Sequence, residues 1–126
     1  MYRREQSLLH RKSYDFALRV VDMVRFLREV KRETVLGRQV LRSGTAVGAL
    51  VREAEFAQST PDFINKLNVA LKEANETDYW LNILKDSHYI DDNAYTSMEA
   101  DCKELIAILV ASIKTLKSKI NKGTTR

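Results

Sequence analysis

Few residues in this chain have types and spacings that could do chemistry. Two histidines, His10 and His88, and one cysteine, Cys102, are its only side chains with imidazole or thiol reactivity. A di-metal site in a helical bundle is built from glutamates and Glu-x-x-His pairs. Here Ser7 and Lys85 stand where those glutamates would be. Glu73 and Glu76 are three apart but have no histidine, and read as surface charges. Cys102 has no histidine near it in sequence to activate it and falls on an apolar stripe, so it reads as a buried small hydrophobe. A single cysteine also excludes an intrachain disulfide and a cysteine-rich zinc site. Gly44 and Gly48 are not followed by Gly-Lys-Ser/Thr and no strand precedes them, so they do not read as a phosphate-cradling loop. The expectation is no catalytic residue, no cofactor and no metal. Of the adjacent rings Tyr79 and Trp80, one is expected to pack inside and the other to sit at a rim.

The feature with most chemical content is basic and helical. At 100° per residue, Arg25, Arg28 and Arg32 fall within about 60° on a first helix, and Arg38, Arg42 and Arg52 within about 80° on a second. Arginine favours phosphate through its bidentate fork, so these six are candidate nucleic-acid contacts. Asp22, Glu29 and Glu33 interleave with the first stripe and can pair with it. Arg42 and Glu53 are expected to form an ion pair between helices or subunits in preference to contacting RNA.

Four segments of helical periodicity must position these groups. The first spans about 13–31, with Ser13 as cap and Phe16, Val20, Met23 or Val24, Leu27 and Val30 turned inward; Leu18 and Val21 widen that stripe. The second spans about 35–57, on Leu36, Val40, Val47, Leu50 or Val51, and Ala54. Glycine inside a helix costs about 1 kcal/mol relative to alanine, so Gly44 and Gly48, one turn apart beside Ser43, predict close backbone approach by another helix or subunit. Thr60-Pro61-Asp62 opens a third helix, 61–86, with Phe63, Leu67, Ala70 or Leu71, Ala74, Leu81 and Leu84 inside and one wet stretch at 75–78. Asp91 or Asp92 caps a fourth, about 93–120, along Met98, Cys102, Leu105, Leu109, Ser112, Leu116 and Ile120. Its additional apolar residues, Ile106, Ile108, Val110 and Ile113, predict an oligomer interface. Short connections favour antiparallel neighbours, hence an all-α, up-down-up-down four-helix bundle. Residues 1–12, with Arg3, Arg4, Arg11 and Lys12, are expected as a flexible basic arm and 121–126 as a frayed basic tail.

A length of 126 residues, 44% hydrophobic and 30% charged, suits one globular domain. One proline and four glycines are too few for the turns of a sandwich or barrel. The longest uncharged runs, Ser43–Val51 and Leu105–Ile113, are too short to span a bilayer, and the N-terminus has no apolar signal core. A cytoplasmic location without membrane contact is therefore expected. The net charge of +4 is unevenly spread: residues 1–60 carry a net +5, 61–110 a net −6, and 111–126 a net +5. Such asymmetry suits RNA, DNA or self-association through complementary patches.

The run Gln39–Ala49 resembles the hallmark of a bacterial four-helix-bundle family, the 23S rRNA intervening-sequence proteins. So do Glu53-Ala54, Ala57-Gln58-Ser59, Asp62–Leu67 and Ala70–Leu81, with Ser13–Ala17 fitting the family's start; together they cover residues 13–120. Leu50 departs from the asparagine usual after the Gly-Ala pair. The resemblance implies a small cytosolic bundle without catalytic activity, often a homopentamer. The family is similar to the accessory protein of diversity-generating retroelements, a basic pentamer that works with a reverse transcriptase and binds nucleic acid. The resulting expectation is a non-enzymatic oligomeric scaffold that contacts RNA or a ribonucleoprotein. The alternative is a protein-only adaptor for a partner enzyme. Ser43, Gly44, Gly48 and Glu53 are the candidates for close packing or a subunit interface.

Overall fold

A computed structural model describes the backbone of residues 4–124 and the side chains of residues 8–121. Arg3 of the expected arm and Thr125 and Arg126 of the expected tail lie outside the described residues. The described chain forms four helices, α1 (Arg4–Glu29), α2 (Val35–Glu55), α3 (Thr60–Asp86) and α4 (Asp92–Thr124), with no strand. Each packs on two others, in the cycle α1–α2–α3–α4–α1. Paired residues run in opposite order along three of these seams: Val20 and Ser13 meet Gly44 and Gly48, Ser43 and Glu53 meet Thr77 and Lys66, and Lys12 and Arg19 meet Glu104 and Asp101.

The expected helices are present, but their ends differ. α1 begins nine residues before Ser13, because Leu9 continues the buried line of Phe16, Val20, Met23 and Leu27. Ser13 is itself buried and, instead of capping, donates to the carbonyl of His10 (3.1 Å). The expected arm is thus helical from Arg4. α4 likewise continues to Thr124, past the expected end at 120. Val30 and Leu18, expected to face inward, are 63% and 50% exposed.

The connections show why the helices stop where they do. Arg32 (φ 58°) and His88 (φ 67°) take the left-handed conformation that reverses the chain after α1 and α3. After α3, the amides of His88 and Tyr89 then reach the carbonyls of Lys85 and Leu84. Glu33, expected to pair with arginine, instead caps α2: its carboxylate accepts from the amides of Val35, Leu36 and Gly37 at 2.8–3.0 Å. At α3 the cap is Ser59 in place of Thr60; Ser59 Oγ accepts from the amide of Asp62 (3.2 Å), and Pro61 occupies the first turn. Asp91 caps α4 through the amide of Ala94 (2.8 Å).

The core is aliphatic, with Leu27, Val40, Val47, Leu67, Leu81, Leu84 and Leu109 fully buried; each such side chain contributes about 1.5–3 kcal/mol. Cys102 lies among them, as expected. Its Sγ is 3.3 Å from the carbonyl oxygen of Ala74, and burial pushes the thiol up to about 12. The stretch 75–78, expected to be wet, is not uniformly so. Thr77 is fully buried and hydrogen-bonds Ser43 Oγ (2.9 Å) across the α2–α3 seam, which satisfies both hydroxyls inside the core. Asn75 alone in this stretch is exposed.

At the α1–α2 seam a Cβ on Gly44 would lie 2.8 Å from Val20 Cγ2 and 3.0 Å from Cγ1. A Cβ on Gly48 would lie 3.3 Å from the carbonyl oxygen of Ser13. The expected glycine crossing is therefore within one chain, with α1 seated on α2. Val20 is β-branched and stiff, so it cannot simply rotate away. Gly44→Ala is expected to destabilise the fold by about 1 kcal/mol, an overpacking cost of about 1–3 kcal/mol less about 1 kcal/mol of helix propensity. In a Val20→Ala background the same change is expected to be stabilising. Urea denaturation of the four-member mutant cycle measures this, and equal effects in both backgrounds would disprove the contact.

The α3–α4 seam carries a polar cluster. Tyr95 Oη lies 2.6 Å from Glu99 Oε2 and 2.8 Å from Asn82 Oδ1, and the bond to Glu99 raises the phenol to about 12. Asp78 Oδ1 is buried with no hydrogen-bond partner, and Lys103 Nζ stands 3.7 Å from its Oδ2. Burial raises the Asp78 carboxyl above its ordinary value, and the Lys103 charge only partly offsets this. The folded state therefore holds this proton more tightly than the unfolded chain does. The stability it contributes is full below the ordinary aspartate value of about 4 and is lost as pH rises through the raised one. Asp78→Asn is expected to be more stable than the parent at pH 7, with the advantage shrinking to nothing under acid. Denaturation midpoints across that pH range check the sign.

Candidate interaction surface

The six candidate arginines do not form the two continuous stripes expected of them. Arg25 pairs with Asp22 (3.2 Å) and Arg28 with Glu29 (3.6 Å), both on the surface of α1. Arg32 is beyond the end of α1, in the left-handed turn, and is not part of that face. Arg42 bridges to α3, pairing with Glu73 (3.2 Å) and with Glu76, whose Oε2 also accepts from Trp80 Nε1 (2.9 Å). Arg38 and Arg52 are exposed on α2, and neither has an acidic partner among the described residues. Of the second stripe, then, the two outer members are free to meet a ligand and the middle one is committed to holding α2 against α3.

The candidate packing residues act within the chain. Ser43 and Gly44 are buried, and Gly48 faces α1. Glu53 pairs with Lys66 of α3 (3.3 Å) and Arg42 with Glu73 and Glu76, so the expected Arg42–Glu53 pair does not form within the chain. Leu50 packs against the core. Tyr79 is 57% exposed while Trp80 packs inward, their rings 5.0 Å apart in an edge-on contact, which divides the pair as expected.

Sequence reasoning missed the outward face of α1. By helical geometry Arg11, Tyr14, Leu18, Val21 and Arg25 lie within about 80° of one another, opposite the buried line. Tyr14 is 54% exposed and Leu18 half exposed. The spacing 11-14-18-21-25 repeats the three-and-four pattern of the core stripe; assigning Leu18 and Val21 to that stripe hid it. Arg11 is exposed with no acidic partner among the described residues. The glycine crossing sets α2 beside this face. Gly48 abuts Ser13 and Gly37 lies by Val24 and Leu27, so Arg52 stands at the Arg11 end and Arg38 at the Arg25 end. Both Arg11–Arg25 and Arg38–Arg52 span fourteen residues, about 21 Å of helix. The result is a four-cornered arginine frame around Tyr14, Leu18, Val21, Leu41, Thr45 and Ala49.

Two other surfaces carry apolar groups open to solvent. On α4, Ile106 and Ile108 are partly buried against the core and Ile113 is buried, so most of the expected surplus is used internally. Val110 (47% exposed), Ala107 and Ala111 remain outside. A furrow of about 490 Å³ between α1 and the start of α4 has Met23, Ile90 and Met98 at its floor. Its charged rim is already engaged: Arg19 with Asp101, Asp22 with Arg25, and Asp91 with the cap of α4. No free polar groups converge there to orient a small molecule. Among the described residues no group of three or more His, Cys, Asp or Glu side chains could hold a metal ion, and no helix is long and apolar enough to cross a membrane.

Known proteins place this arrangement. A crystal structure of a protein with unknown function from the S23 ribosomal protein family of Bacteroides thetaiotaomicron is 48% identical, with a TM-score of 0.86 over 87% of this chain and 98% of that one. No curated protein matches. The family described as 23S rRNA-intervening sequence protein matches residues 5–111, the helices α1 to α3 and most of α4. The glycine-rich α2, the Ser59–Asp62 cap and the Glu73–Trp80 segment all lie inside that match, and the chain belongs to the 23S rRNA-intervening sequence protein family.

Proposed function

We propose that this protein is a non-enzymatic scaffold: an antiparallel up-down-up-down bundle that works in the cytoplasm as a homo-oligomer and receives an anionic partner on the outer face of α1 and α2. The observation that carries the reading is the pair of unpartnered arginines, Arg38 and Arg52, set level with Arg25 and Arg11 on one face. The exposed pairs of Arg25 and Arg28 contribute about 0–1 kcal/mol, so a phosphate or carboxylate from a partner displaces their own acids at little cost. RNA is the first such partner, in line with the family's name. The apolar residues inside the frame favour a second reading, an adaptor that holds a protein such as a partner enzyme without touching nucleic acid. Self-assembly is assigned to α4, where Val110, Ala107 and Ala111 offer a small, flat apolar strip for close helix packing. A pentamer is the assembly that the family resemblance favours.

Two measurements test this. Light scattering on the whole chain is expected to give a multiple of 14.5 kDa, five-fold for the pentamer, and Val110→Glu is expected to lower it. A monomer at micromolar concentration removes the assembly. Binding of a structured RNA hairpin is expected to weaken steeply with salt, and the Arg38→Glu/Arg52→Glu double variant to flatten the salt slope by about two. An unchanged slope removes these arginines from the contact, and no binding at low salt removes RNA.

A further inference from the structure

The contents of the arginine frame, more than its charge, identify what fits it. A nucleic-acid strand presents a phosphate at every nucleotide, one per about 3.4 Å of helix axis in each duplex strand, and is best met by cations along its length. Here the cations stand at the corners, about 21 Å apart along each helix. Between them Tyr14, Leu18, Val21 and Leu41 offer apolar surface, Arg42 is held by Glu73 and Glu76, and the exposed Asp15 and Asp22 lie along the outer edge of α1. The glycine crossing draws α1 and α2 together, so the groove between them is shallow and open to a third rod. Resting on the reading that this face receives an anionic partner, we propose that it docks an acidic amphipathic helix of another protein. That helix has about four turns, apolar side chains at three- and four-residue steps in its middle, and carboxylates near both ends to meet Arg11 and Arg52 on one side and Arg25 and Arg38 on the other.

Among the described residues neither α3 nor α4 offers such a helix face. The exposed strip of α4 is flanked by Lys103, Lys114 and Lys117, which repeat the charge of the frame. On α3, Tyr79 lies with Lys72, and the carboxylate of Glu76 is taken by Arg42 and Trp80, leaving Asp86 at one end. A second copy therefore meets the frame with like charge or with a single acid, and like charges brought together across an interface repel. A helix with carboxylates at both ends and leucine-like residues between them satisfies all four corners and covers the exposed apolar surface at once.

The test uses the whole chain and three labelled synthetic peptides of equal length. The first has leucines at heptad positions in its centre and glutamates at both ends. The second replaces the glutamates with lysines. The third is the first with a central proline. Fluorescence anisotropy is expected to show saturable binding of the first at least roughly tenfold tighter than of either control. Leu18→Glu, and separately Tyr14→Ala, are expected to weaken it several-fold, while Asn75→Ala on α3 leaves it unchanged. Circular dichroism confirms that each variant is folded. Equal binding of the three peptides, or indifference to both α1 variants, overturns the proposal. If an RNA hairpin binds through Arg38 and Arg52 while the acidic peptide does not, the docked helix is wrong and the anionic-partner reading stands. If neither binds, both are wrong. If Leu18→Glu lowers the oligomeric mass and unlabelled chain displaces the peptide, a second copy occupies the face and the proposal falls.

Discussion

Everything in this bundle depends on how closely α1 can approach α2. At Gly44 the space that a methyl group would need is already filled by the branched side chain of Val20, and at Gly48 it borders the backbone of Ser13. Helices usually pack 8–10 Å apart, with side chains setting the distance. Removing the side chains at two positions one turn apart lowers that distance where it matters and lines up the rest of both helices. The loss of helix propensity is offset by contact with a stiff, fully buried valine that needs no reorganisation on packing. Core residues on either side of the crossing, Phe16 and Leu27 on α1 and Val40 and Val51 on α2, are then held at a spacing that excludes water.

The same approach organises the outside. Two helices drawn together leave little relief between them, so their outward side chains form one surface in place of two ridges. Charge is distributed over that surface by a simple division. Acids and bases that face a neighbouring helix pair across it, as Arg42 does with Glu73 and Glu76, Glu53 with Lys66, and Arg19 with Asp101. Those at the far ends of α1 and α2 have no helix to face and keep their charge for solvent or a partner. The chain is basic in its first half and acidic in its middle, yet much of that asymmetry is consumed by pairing between α2 and α3 and between α1 and α4. What remains outward on α1 and α2 includes the four arginines at the corners.

The polar groups retained inside are few and mostly answered. Ser43 and Thr77 bond each other, Ser13 bonds the turn before it, and Glu33 closes the open amides at the head of α2. Asp78 is an exception, a carboxylate whose buried oxygen has no hydrogen-bond partner and whose proton is correspondingly hard to remove. It sits on the α3–α4 seam among Tyr95, Asn82 and Glu99, away from the arginine frame, so its ionisation bears on the stability of the bundle and not on the charge of the interaction surface.

Periodicity in the sequence by itself determined four helices, their buried lines through Phe16, Val47, Leu67 and Leu105, the Pro61 start, the inward Cys102 and the need for a close crossing at Gly44 and Gly48. These are local or one-dimensional facts: a stripe recurs every three or four residues whatever it packs against, and a glycine in a helix asks for a neighbour whichever one arrives. Partner identity is a different matter, and only the tertiary structure decided it. That Arg42 would meet Glu73 and Glu76 instead of Glu53, that Thr77 would be buried against Ser43, and that Leu18 would belong to a second, outward stripe all depend on which faces of different helices come together. Such contacts join residues three or more turns of sequence apart through space, and helical spacing along one strand of residues carries no record of them.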